Sequence, residues 1–199
     1  MHCEWCDTPA SIGDGLRVYQ SLSACDVLNQ VNIHLPHIHS VSLTGGEPLL
    51  QWEFLGELVK QLEPLHKGIH LETNGTLPEA LEAVISGMGV VAMDIKLPSS
   101  TKGRSYWDEH HRFLEIALKN QTEVFVKVVI STSTEEADVV LARDLICSVD
   151  PLIPVILQPN SYELKSGVLA DCLSFQKVLL PSLPLTRVIP QVHKFLKIP

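Results

Sequence analysis

Two short segments of this chain have the residue types and spacing to do chemistry. The first is Cys3-Glu4-Trp5-Cys6-Asp7-Thr8, where two thiolates three positions apart can grip one metal ion or one edge of an iron–sulfur cluster. The second is Thr44-Gly45-Gly46-Glu47-Pro48. Its glycines permit positive φ and let backbone approach a ligand with no Cβ in the way, while the carboxylate can accept from an ammonium. Each segment also has a plainer explanation. The glycine segment could be a tight strand-to-helix turn with a capping acid. The cysteine pair could be a thioredoxin-like redox site or half of a zinc site. A redox pair should open a helix after an early strand, and no such strand is legible before Cys3. Zinc needs a second pair, and the nearest candidates, His34, His37 and His39, are interrupted by Pro36 in a pattern that suits a helix end and a loop. On the cysteine pair alone these readings stay open.

The elements that must position these segments can be read from periodicity. Apolar, β-branched runs recur at Val41–Leu43, Ile69–Thr73, Val90–Ile95, Val124–Ile130, Val155–Gln158 and Leu185–Ile189. Helical segments lie between them. Ser133 with Glu136, and Thr76 with Glu79 around Pro78, form capping-box patterns, and Pro48 precedes a helix expected over Gln51–His66. This alternation predicts one α/β domain over residues 1–199, with a parallel sheet wound by right-handed crossovers. A partial barrel and a doubly wound sheet both fit, and both place ligands beyond the carboxyl ends of the strands. The unusual residues fall there: Thr44–Pro48, Thr73–Thr76, Asp94–Lys96, Gln158–Pro159 and Pro190–His193. Thr73–Thr76 reads equally well as an Asn-Gly turn or a ligand contact. Packing poorly explains a strand that ends in both Asp94 and Lys96.

Composition narrows the class. Fifteen Lys and Arg against 23 Asp and Glu give a formal charge of −8, which argues against a broad nucleic-acid face but not against a small anionic ligand. No apolar run approaches the roughly 18 residues of a membrane span, and no signal peptide precedes Cys3. Of five cysteines only Cys3 and Cys6 are close together, so the reading is a reducing cytoplasm rather than a disulfide framework. Cys25, Cys147 and Cys172 are expected to be small buried hydrophobes.

The two opening motifs resemble the radical S-adenosylmethionine (SAM) enzymes, whose signature is Cys-x3-Cys-x2-Cys. Cys3 and Cys6 match its last two cysteines, and the first would fall two positions upstream of Met1. On this reading the chain is N-terminally truncated, without its first strand and first cluster cysteine. Cys-x-x-Cys-Asp-Thr, Thr-Gly-Gly-Glu-Pro, Leu-Glu-Thr-Asn-Gly, Asp-Ile-Lys-Leu-Pro-Ser-Ser and the closing Arg-Val-Ile-Pro-Gln-Val-His-Lys together resemble the 7-carboxy-7-deazaguanine synthases of the queuosine pathway.

The resemblance implies a partial (β/α)6 barrel whose parallel sheet is open at one side. It implies a 4Fe-4S cluster, SAM and Mg²⁺ as cofactors, and a carbon–nitrogen lyase acting on the pterin 6-carboxy-5,6,7,8-tetrahydropterin through a 5′-deoxyadenosyl radical. Cys3 and Cys6 would be cluster ligands, and Thr8 would meet magnesium. Thr44, Gly45, Gly46, Glu47, Asp94, Lys96 and Gln158 would line SAM. Thr44, Gln191, His193 and the terminal carboxylate of Pro199 would meet the substrate, with Gln191 and His193 on one face of an extended segment. A flavodoxin- or ferredoxin-type reductant and a homodimer complete the expectation. The rivals are a glycyl-radical activase, which has no reason to keep the Gln191–His193 ending, and a non-catalytic remnant that binds small ligands or a partner.

Overall fold

The structure is a computed structural model and describes residues 6, 19–62 and 68–196. Its six strands are β1 (Val41–Leu43), β2 (Ile69–Thr73), β3 (Val90–Ile95), β4 (Glu123–Ile130), β5 (Val155–Pro159) and β6 (Thr186–Val188). All five pairings are parallel, and the order in the sheet is the order in the chain. A doubly wound sheet reverses its winding at a switch point, and this one never does. The fold is therefore a partial barrel, open between β1 and β6.

Helices α1 (Ala24–His34), α2 (Trp52–Leu62), α3 (Pro78–Val84), α4 (Pro98–Thr101), α5 (Trp107–Lys119), α6 (Glu136–Val149), α7 (Val168–Leu179) and α8 (Val192–Leu196) complete it. Strand β4 shows how the layers divide. Val124, Val126, Val128 and Ile130 are buried, while Phe125, Lys127 and Val129 alternate with them half-buried. Phe113, Leu114 and Ala117 of α5 are fully buried in the same core as the first set. Each such side chain contributes about 1.5–3 kcal/mol on burial. The second set faces the concave side. Register extends that face, because Asp94 pairs with Lys127, Lys127 with Ile156, Val129 with Gln158 and Ile156 with Arg187. One side of the sheet is thus an apolar floor for helices, and the other carries charge and amide groups.

Both predicted capping boxes fail to form. Helix α6 begins after Glu135, whose N–H donates to Ser99 Oγ, while Ser133 Oγ turns to Ser131 and to the Ser99 carbonyl. Before α3, Thr76 Oγ1 donates to Asn74 Oδ1 and the N-cap position falls to Leu77, which has no side-chain cap. At α6 a partner from a neighbouring loop displaces the local one, and at α3 the Asn74 side chain of the same turn takes the threonine hydroxyl. Helix α2 starts only after a 3-10 turn over Pro48–Gln51, and its expected extension past Leu62 lies outside the described residues. A box not foreseen does form at α1, where Ser23 and Asp26 cap each other.

The cysteine expectation needs correction at two positions. Cys172 is buried, and burial pushes its thiol up to about 12. Cys147 is half-buried and Cys25 exposed, because α1 turns Ala24 and Leu28 inward instead. His34 ends α1 and His37 ends the 3-10 turn that follows, as the Pro36 interruption suggested. Among the described residues no helix is long and apolar enough to cross a membrane.

Candidate functional site at the carboxyl ends of the strands

The loop after β1 is built around one carboxylate. Glu47 Oε1 accepts from the Leu49 N–H (3.1 Å) and from Thr73 Oγ1 (2.8 Å), and Oε2 accepts from the Asn74 N–H (2.8 Å). It therefore caps the turn at Pro48–Gln51 and clasps the ends of β1 and β2 together. The sequence suggested a carboxylate held for a ligand ammonium. In the structure three donors of the chain already occupy it, and Oε2, with one bond, retains acceptor capacity. Thr44, Gly45 and Gly46 are exposed just before it. Gly45 has φ +154°, and a Cβ there would meet nothing within 4 Å, so its backbone borders open space.

The turn after β2 is equally constrained. Asn74 Oδ1 accepts from the Thr76 N–H (3.0 Å). Gly75 has φ +68°, and a Cβ would come within 2.7 Å of the Met93 methyl, so only glycine lets the turn rest on β3. The Asn74 carbonyl lies 3.0 Å from His110 Nε2. A carbonyl only accepts, so Nε2 carries the proton. His110 is 0% exposed, and its Nδ1 is buried without a partner among the described residues. Burial holds this imidazole neutral, with a pKa lowered to about 4 despite the bond to Asn74 and the charges of Asp94 and Glu109. The rings of Tyr106 and Trp107 flank it at 6.1 and 6.5 Å. Sequence reasoning missed His110. Its signal was a histidine in register with Phe113, Leu114 and Ala117 on the buried stripe of α5.

At the end of β3, Asp94 Oδ2 accepts from Lys96 Nζ at 2.6 Å and lies 3.5 Å from Lys127 Nζ. Burial would raise this carboxyl, but the charges of Lys96 and Lys127 outweigh it and hold the pKa below its ordinary value. Oδ1 is buried and has no partner among the described residues. Two ammonium groups thus flank one carboxylate at this strand end. Sequence reasoning did not include Lys127, although a lone cation in an apolar strand was visible.

The parallel order brings the Gly-Gly-Glu loop, the Asn74 turn and the Asp94 cluster to one rim, and places Gln158 half-buried on the same concave face. Cys6 is a free, half-exposed thiol. Cys3, Thr8 and Pro199 lie outside the described residues. The extended arrangement of Gln191 and His193 is not found. Gln191 precedes α8, its carbonyl accepting from the Lys194 N–H, and His193 lies within the helix. The alternation of an extended segment, which would put both on one face, therefore does not hold here. Both are half-buried. A groove of about 500 Å³ between α2 and α3 is lined by Trp52, Gly56 and Val84.

The rim fits the amino-acid end of SAM. It offers open space over Gly45, an unpartnered buried acceptor at Asp94 Oδ1, and the ammonium groups of Lys96 and Lys127 beside it.

Comparison with known proteins gives the same direction. Residues 1–145 match the Radical SAM superfamily. The 7-carboxy-7-deazaguanine synthase of Geobacter sulfurreducens is 34% identical over 98% of this chain and 85% of its own length. That of Methanopyrus kandleri is 30% identical over 98% of this chain and 81% of its own. Among solved structures, Streptococcus suis SuiB bound to precursor peptide SuiA superposes with a TM-score of 0.68 at 14% identity, covering 96% of this chain. Native anSMEcpe with bound AdoMet gives 0.64 at 19% identity, again over 96%. This chain spans 46% and 60% of those two neighbours, and at such identities the likeness is one of fold. With the superfamily matched over most of its length and relatives this similar from end to end, the chain belongs to the radical SAM superfamily and, within it, to the 7-carboxy-7-deazaguanine synthase family.

Proposed function

We propose that this enzyme converts 6-carboxy-5,6,7,8-tetrahydropterin to 7-carboxy-7-deazaguanine with loss of ammonia, a carbon–nitrogen lyase reaction with ring contraction. The observation that carries the reading is the rim itself. A glycine loop clasped by Glu47 shares one rim of the sheet with a buried Asp94 whose second oxygen lacks a donor, in a chain 34% identical to a synthase of that name. When bound, a 4Fe-4S cluster and SAM supply the electron and the 5′-deoxyadenosyl radical that abstracts hydrogen from the pterin.

The chain's own residues do the rest. Cys6, with Cys3, would supply two of the three thiolates that hold the cluster in this reading. Gly45 and Gly46 give the methionine end of SAM a surface without side chains, and Asp94 Oδ1 accepts from a donor on the ligand. Lys96 and Lys127 keep Asp94 ionised and balance a carboxylate. Gln158, from β5, presents an amide to the same face. Fixing these groups before the ligand arrives lowers the entropic cost of alignment. Thr8 with Mg²⁺, and Thr44, Gln191, His193 and the Pro199 carboxylate, meet the pterin in this reading, supported by motif position. A flavodoxin- or ferredoxin-type reductant, a homodimer and a cytoplasmic setting belong to the same proposal.

The test is product analysis under anaerobic conditions with full-length protein, dithionite, SAM and the pterin. Methionine, 5′-deoxyadenosine and 7-carboxy-7-deazaguanine are expected, and Cys6→Ala should abolish all three. Formation of 5′-deoxyadenosine without a pterin-derived product would refute the substrate assignment. A glycyl-radical activase would show that pattern and act on a partner protein instead.

A further inference from the structure

We infer that His110 is a positioning residue for the SAM-binding loops, acting through Asn74 and Glu47 rather than by touching the ligand. The inference rests on the reading of the rim as a SAM site. It begins from an oddity of α5. The buried stripe of this helix is apolar at Phe113, Leu114 and Ala117, yet its first buried position holds an imidazole with 0% exposure. A leucine there would avoid the cost of desolvating a polar ring. The imidazole has one hydrogen-bonded partner among the described residues, the Asn74 carbonyl at 3.0 Å.

That bond secures the second side of a residue already held on the first. The Asn74 N–H donates to Glu47 Oε2 (2.8 Å), its side-chain oxygen accepts from the Thr76 N–H, and Gly75 rests on Met93. Thr73 Oγ1, from the same turn, donates to Glu47 Oε1. The links run without a gap from the first turn of α5, through the backbone of Asn74, to the carboxylate that fixes the Gly45–Gly46 loop. His110 also lies within the electrostatic reach of Asp94, so the helix sits behind both halves of the site. Because the ring is neutral and donates from Nε2, it anchors the carbonyl without placing a charge behind the ammonium groups of Lys96 and Lys127. Tyr106 and Trp107 hold the ring at its edges.

The experiment compares wild type with His110→Leu, which fills the space without a donor, and His110→Gln, whose amide nitrogen can reach the place of Nε2. SAM affinity is measured by equilibrium dialysis on anaerobically reconstituted protein, and hydrogen exchange of the Asn74 amide is measured without SAM. Loss of one buried hydrogen bond should weaken SAM binding in the leucine variant about tenfold. The KM for SAM should rise by the same factor, with a smaller change in kcat, and Asn74 exchange should quicken. The glutamine variant should return affinity and exchange to within about twofold of wild type. If the leucine variant fails to fold, His110→Asn replaces it, since its shorter amide stops short of the Asn74 oxygen. Leucine or asparagine variants with wild-type affinity and exchange would overturn the role of His110, as would a glutamine variant no better than they are. Wild-type protein that binds no SAM would overturn the proposed function itself, and this inference with it.

Discussion

Asp94 is a carboxylate in a place where burial favours the neutral acid, and it stays ionised because Lys96 and Lys127 stand beside it. Its folded pKa is lowered, so the pair contributes stability above the ordinary carboxylate pKa and loses it as pH falls below that value. Removing one cation should show this. Lys127→Met should cost about 2 kcal/mol in urea unfolding at pH 7, the scale of a hydrogen bond to a charged group. An unchanged midpoint would mean that Lys96 suffices. His110 gives a second, separate pH signature. Its folded pKa of about 4 lies below the 6.5 of a free imidazole, so between those values the unfolded chain binds more protons. Stability should therefore fall by about 3 kcal/mol as pH drops across that window. His110→Gln should remove that part of the slope, which urea titrations at a series of pH values would detect.

At the scale of elements, two glycines separate folding from binding. Gly75 and Gly45 both occupy backbone conformations that L side chains rarely adopt, but only at Gly75 would a Cβ collide, 2.7 Å from the Met93 methyl. Gly75→Ala should thus destabilise by about 2–3 kcal/mol, strain and displacement of Met93 together. Gly45→Ala should cost only the strain, about 1 kcal/mol, while its Cβ projects into the space assigned to SAM. Thermal melts with and without SAM would distinguish the two. Gly75→Ala should melt lower and still be stabilised by SAM, and Gly45→Ala should lose most of the SAM-dependent shift. Equal melting points for the two apo variants would contradict the placement of Met93.

At the scale of the molecule, the site depends on a sheet whose two faces do different work. The helix-side core sets the positions of strand ends that share few direct contacts across the open edge. Phe113, fully buried beneath α5, is the largest of these side chains. Phe113→Ala should cost about 3–5 kcal/mol through lost transfer energy and the cavity left behind. Because α5 also carries His110, SAM affinity in that variant should fall at temperatures where the protein is still folded by circular dichroism. Retained affinity would show that the first turn of α5 is held independently of its middle.

Much of this was already legible along the chain. The β-branched runs and the segments between them located all six strands to within a residue or two, since side-chain period and propensity are local properties. Parallel winding then told that the strand ends share one rim, so Thr44–Glu47, Asp94, Lys96 and Gln158 could be expected there together before any contact was known. Other features depend on which distant residue arrives as a neighbour. Glu47 meets donors 26 and 27 residues further on, and His110 reaches a carbonyl 36 residues back. Ser99 displaces the cap that Ser133 would have made, and Pro190 is followed by a helix in place of the extended segment expected over Gln191 and His193. Local sequence fixes the period of an element and so the face each residue takes. Hydrogen bonds between elements follow from how the crossovers pack, and only the folded sheet supplies that.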